Sequence, residues 1–99
     1  MVAADILLEG GFKVFEAHDA DEAIQLLRTR DDIHAVFTDI EMPGSMNGLE
    51  LAAIVRKTWP KMVVLVTSGR INPDGELPAG SEFMSKPYSP VELLERLKA

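Results

Sequence analysis

The sequence of 99 residues has no cysteine. A disulfide scaffold, a thiolate metal site and a cysteine nucleophile are therefore excluded. Positive charge is sparse. Ten Lys and Arg face sixteen Asp and Glu, a formal net charge of −6 with both histidines neutral. No Lys/Arg cluster exists, which disfavours nucleic-acid binding through a basic face. No apolar run approaches the roughly twenty residues of a membrane span. No basic segment precedes an apolar stretch at the N-terminus, so no signal peptide is visible. The expectation is a cytoplasmic domain with no membrane or nucleic-acid partner. Hydrophobic residues make up 46% and charged residues 26%, ordinary globular values that disfavour intrinsic disorder. The length suits one domain spanning residues 1–99.

Periodicity divides the chain into alternating elements. Met1–Glu9 reads as a helix that starts without a capping residue and stops at Gly10-Gly11. Phe12–Ala17 reads as a short strand; Lys13 and Glu16, on opposite faces, assign it to a sheet edge. Asp19–Thr29 reads as a helix with Asp19 and Glu22 at capping-box spacing and a stripe of Ala20, Ala23, Ile24 and Leu27. Ile33–Thr38 reads as a central strand. Asn47–Thr58 is a helix capped by Asn47 and Glu50 and ended by Trp59-Pro60. Met62–Val66 is the clearest central strand, five apolar residues without a charge. Two prolines and three glycines between Gly69 and Gly80 leave room for one helical turn at most. Glu82–Lys86 is a last short strand. Ser89, Pro90 and Glu92 then open a final helix.

Such alternation predicts an α/β fold, a doubly wound parallel sheet with four strands present and helices on both faces. In such sheets the chemistry lies outside the carboxyl ends of the strands. There the sequence offers Asp39, then Thr67-Ser68-Gly69, then Lys86-Pro87. A carboxylate, a hydroxyl and an ammonium suit a phosphoryl group: a nucleophilic oxygen, a hydrogen-bond donor and a positive point charge. His18 and His34 lack metal-ligand spacing, and Met42, Met46 and Met84 form no stripe.

The segments VFTDIEMPGSMNGLEL, VLVTSG and FMSKPYSPVELLERL resemble the sequence marks of response-regulator receiver domains, in the right order and spacing. The resemblance implies the flavodoxin-like version of this fold and a two-component phosphorelay. It implies that Asp39 takes a phosphoryl group from a phosphohistidine on a sensor histidine kinase or a histidine phosphotransfer protein. Lys86 would pair with that group and Ser68 would bond one of its oxygens. Phe83 would move into space vacated by Ser68, and Gly69 would leave room for the phosphoryl group. Pro87 would follow a cis peptide bond. Magnesium would bind Asp39 and the backbone carbonyl of Glu41, whose side chain is expected in solvent.

The family begins with a strand ending in two acids that supply most of the magnesium site. This sequence starts at the helix after it, so the resemblance implies a receiver truncated before its first strand. Three consequences are expected: weak or lost magnesium binding, either marginal stability or self-association at an unpaired strand edge, and either direct pairing of Phe12–Ala17 with Ile33–Thr38 or exchange of an element with a second copy.

Three functions fit these residues. One is a signalling module, not an enzyme, whose output passes to a downstream protein through the face of the last strand and helix, with Phe83, Tyr88 and Leu93 nearby. Another is a degenerate receiver that only binds. The third is an aspartyl-phosphate phosphatase, against which stand Glu41 in place of a second aspartate and too few residues for a cap.

Overall fold

The computed structural model describes residues 2–41, 44, 46–69 and 77–98. The elements are α1 (Val2–Glu9), α2 (Ala20–Thr29), β1 (Ala35–Asp39), α3 (Gly48–Thr58), β2 (Val63–Ser68), β3 (Glu82–Ser85) and α4 (Pro90–Lys98). The three strands form one parallel sheet in the order β1-β2-β3, so β2 is central as expected, whereas β1, expected at the centre, lies at an edge among the described residues. Asp39 stands opposite Thr67, and Ser68 opposite Ser85.

Alternation along β2 divides the core. Val64 and Val66 enter one cluster with Ala20 and Leu27 of α2 and Leu51, Ala52 and Val55 of α3. Leu65 faces the other way and packs with Met84 and Leu93, flanked by Ile6 and Leu7 of α1 and Leu97 of α4. Side chains two apart share a face, so an unbroken apolar run such as Val63–Val66 suits a strand covered by helices on both sides.

The helix starts follow their caps. Asn47 and Glu50 make the reciprocal capping box of α3. Ser89 Oγ accepts from the Glu92 N–H at 3.0 Å at the start of α4. At α2 the box is half as expected. Asp19 accepts from the Glu22 N–H at 2.9 Å, but the Glu22 carboxylate reaches past it to the His18 N–H at 2.8 Å.

One expected strand is not formed. Phe12–Ala17 has no regular structure, and the sheet has three strands among the described residues rather than four. A strand exists through its ladder, and neither β1 nor any other described strand pairs with this segment. It is held by other means. The Phe12 N–H bonds the Leu7 carbonyl at 3.0 Å. The Arg30 guanidinium lies 4.1 Å from the centroid of the Phe15 ring while bonding Asp32 through two nitrogens. The direct pairing of Phe12–Ala17 with Ile33–Thr38 is thereby corrected. Residues 70–76, where a helical turn was allowed, lie outside the described residues, as do Met42 and Pro43 of the acidic loop.

Candidate functional site

The carboxyl ends of the three strands meet at one edge. β1 runs one residue further than its apolar pattern suggests, so Asp39 closes the strand and is held by ladder pairing. β2 likewise extends through Thr67 and Ser68. The Ile40 N–H bonds the Thr67 carbonyl at 2.9 Å, and the Lys86 N–H bonds the Ser68 carbonyl at 3.0 Å. Backbone hydrogen bonds therefore tie the residues bearing the three expected side chains into one frame.

Within it, the Lys86 ammonium is paired with Asp39 Oδ2. β1 and β3 are separated by β2, so the lysine crosses about 10 Å of sheet, two inter-strand spacings. A long flexible stem ending in a compact charge is the side chain that can do this. The other Asp39 oxygen, Oδ1, accepts from the Glu41 backbone N–H at 3.1 Å. Buried Ser68 donates through Oγ to Glu41 Oε1 at 3.1 Å. Beside Ser68, Thr67 Oγ1 donates to the Met84 carbonyl at 2.6 Å.

Burial pushes the Asp39 carboxyl up, but the side-chain contacts with Glu41 and Lys86, the Glu41 N–H and the Lys86 charge outweigh it and hold Asp39 below the ordinary carboxylate range. The hydrogen bond to Asp39 raises Lys86 against its own partial burial, with the charges of Asp39 and Glu41 adding to it. Both groups are thus kept ionised at neutral pH.

Several expectations change. Glu41 is exposed as expected, yet its side chain is not idle, since it accepts from Ser68. Sequence could not show this, because the bond joins residues 27 apart. A Cβ at Gly69, the residue expected to leave room for a phosphoryl group, would meet Lys86 at 3.6 Å, ordinary contact. The tight position is Gly48, where a Cβ would collide with the Asp39 carbonyl oxygen and stand 2.7 Å from its carbon. Its helix-start context concealed that role.

Leu93 cannot belong to an output surface, since it is fully buried. Phe83 and Tyr88 are partly buried on opposite faces of the sheet, Phe83 against the α2–α3 cluster and Tyr88 against the α1–α4 cluster. The exposed apolar side chain on α4 is Val91. The Lys86–Pro87 peptide bond is cis.

For a metal ion, the site offers Asp39 and Glu41. Among the described residues no group of three or more His, Cys, Asp and Glu is placed to hold one. By themselves they do not complete the octahedral oxygen set that magnesium demands.

A family model described as the response regulator receiver domain matches residues 1–98. The chain belongs to that family. It is 33% identical over 96 residues to the uncharacterized transcriptional regulatory protein YrkP of Bacillus subtilis, covering 94% of this chain and 40% of that protein. It is 30% identical over 98 residues to the transcriptional regulatory protein CpxR of Escherichia coli, covering 96% of this chain and 41% of that one. The receiver therefore spans about two-fifths of the length of these curated relatives. Among solved structures it is similar to the receiver domain of NtrX from Brucella abortus, with TM-score 0.83, 28% identity, and 98% of this chain and 84% of that one covered. A receiver protein from Sinorhizobium medicae, at TM-score 0.89 and 23% identity with 98% and 80% covered, shares the fold. No helix among the described residues is long and apolar enough to cross a membrane.

Proposed function

We propose that this receiver is the phosphoacceptor of a two-component phosphorelay, with Asp39 as the accepting residue. The observation that carries the reading is the Asp39–Lys86 pair reaching across β2, with Ser68 at the end of the strand between them. Two chain segments 47 residues apart thus present a nucleophile and a counter-charge at one edge.

In the reaction, an Asp39 carboxylate oxygen attacks the phosphorus of a phosphohistidine on a sensor kinase or phosphotransfer protein. The new P–O bond forms as the P–N bond breaks, and the electron pair leaves with the imidazole nitrogen. Both Asp39 oxygens are engaged at rest, so Lys86 must turn from the carboxylate to the incoming phosphoryl oxygens. Its flexible stem permits this with little backbone movement. Ser68 must likewise release Glu41 to donate to the phosphoryl group. Two carboxylates and one ammonium leave the cluster with one net negative charge, which opposes an anionic donor. A divalent cation, when bound, would supply the missing positive charge through Asp39 and the Glu41 carbonyl.

Phe83 stands opposite Val66 in the ladder, two residues before Ser68, and packs with the α2–α3 cluster. Movement of the Ser68 hydroxyl would open space beside it and pass the event to a downstream protein in the cytoplasm. The test is labelling of Asp39 by acetyl phosphate with magnesium, or by a phosphorylated kinase. Label confined to Asp39 supports the reading. Its absence with both donors leaves a receiver that only binds, and catalytic turnover of a small phosphoester would favour a phosphatase.

A further inference from the structure

Asp39 and Lys86 belong to strand ends that do not touch, because β2 lies between them. Their ion pair is partly open to solvent, with side chains 27% and 42% exposed. Such a pair is screened and holds two segments together only weakly. A second contact joins the same segments. Two residues before Asp39, on the same face of β1, stands Phe37; two residues after Lys86 stands Tyr88. Their rings meet edge to face, with centroids 5.7 Å apart and planes at 85°. Both rings pack against the cluster of Leu65, Met84 and Leu93, on the same face of β2 as Leu65.

We propose that Tyr88, seated against Phe37, is a positioning residue for Lys86: it holds the segment after β3 across β2 whether or not the ammonium is engaged with Asp39. The ion pair must open for Lys86 to reach a phosphoryl group. At that moment the electrostatic tie is gone and the ring pair remains. An edge-to-face contact sets an angle as well as a separation, and it does not depend on charge. Burial pushes the Tyr88 phenol up, Lys86 opposing and Asp39 adding, so the ring stays neutral while charges move above it. A tyrosine serving only the core would have no bearing on where Lys86 aims.

The role in transfer rests on Asp39 being the phosphoacceptor; the hold on Lys86 at rest does not. Two measurements separate them. The first is the ¹⁵N signal of the Lys86 ammonium in the unphosphorylated protein, which sharpens when the group is held in one geometry. The second is the rate of labelling by acetyl phosphate. Tyr88→Phe keeps the ring and should match the parent in both. Tyr88→Leu and Phe37→Leu, made separately so that one misfolded variant does not end the test, should broaden the Lys86 signal. They should slow labelling roughly tenfold, less than a full ångström of misplacement costs. In a Lys86→Ala background the same changes should have no further effect, since a positioning residue acts through the group it positions. An unchanged Lys86 signal in the leucine variants would overturn the proposal, as would losses that multiply in the Lys86→Ala background. If the parent takes no label, the phosphoacceptor reading fails, and the ammonium signal still judges Tyr88 alone.

Discussion

The backbone of Gly48 is pressed against the carbonyl group of Asp39. The Gly48 N–H bonds the Ile40 carbonyl at 3.1 Å, and a Cβ would stand 2.7 Å from the Asp39 carbonyl carbon and 3.0 Å from Ile40 Cα. The first residue of α3 is thus a wall behind the carboxylate that defines the site. The atoms in the way are backbone, which cannot rotate aside as a side chain can.

Gly48→Ala should therefore destabilise the fold by about 2 kcal/mol, within the usual range for overpacking. It should also slow labelling of Asp39 more than the stability loss alone explains. Denaturant unfolding gives the first quantity and acetyl phosphate labelling under native conditions the second. Parent-like values for both would show that α3 can retreat without moving Asp39.

Lys86→Ala should leave the fold nearly intact, since the ammonium is half exposed and a partly solvated pair contributes about 0–1 kcal/mol. The response to a phosphoryl group should suffer far more. With beryllofluoride as a phosphoryl mimic, the Phe83 ring signals should shift in the parent and stay near their resting positions in the variant. Equal shifts in both would remove Lys86 from the coupling.

Glu41→Gln keeps an acceptor for Ser68 and removes one negative charge from the cluster. Labelling by acetyl phosphate should rise by roughly threefold to tenfold, as expected for deleting a unit charge a few ångströms from an anionic donor at intermediate dielectric. A slower rate would mean that the Glu41 carboxylate assists rather than opposes the reaction.

The pH dependence follows from two shifts. Asp39 is held below its unfolded value, so its contribution is present above the ordinary carboxylate range and lost as acid protonates it. Lys86 is raised, so its contribution is complete below the ordinary lysine range and lost as pH climbs through its folded value. Stability from this pair should form a plateau between those limits. Solvent screening keeps the effect small. Asp39→Asn should flatten the acid limb, as read from unfolding midpoints across that range. An identical acid limb in the variant would assign the loss to other carboxylates.

The apolar runs made the sheet legible. Met62–Val66 and Ile33–Thr38 are both strands within a residue or two, because short runs rich in apolar and β-branched residues suit a strand. The caps at Asn47 and Ser89 were legible because their partners are three residues away. The triad of Asp39, Ser68 and Lys86 was legible as positions at strand ends. Three features were not. The Phe12–Ala17 segment has strand-like composition, but a ladder needs a neighbour that composition cannot supply. The Glu41–Ser68 bond joins the loop after β1 to the end of β2, 27 residues apart. The constraint on Gly48 comes from backbone approach, which leaves no periodic signature. The burial of Leu93 was not legible either, because it depends on which face of a short helix meets the sheet.

Locating the phosphoryl group itself tests the role of Asp39. The protein should be incubated with acetyl phosphate and magnesium, and with a phosphorylated histidine kinase, and then mapped by mass spectrometry. One phosphoryl group, labile to hydroxylamine as an acyl phosphate must be, should appear on the peptide containing Asp39, and none in Asp39→Asn. Undiminished label in Asp39→Asn, or label on another residue of the parent, would contradict that role.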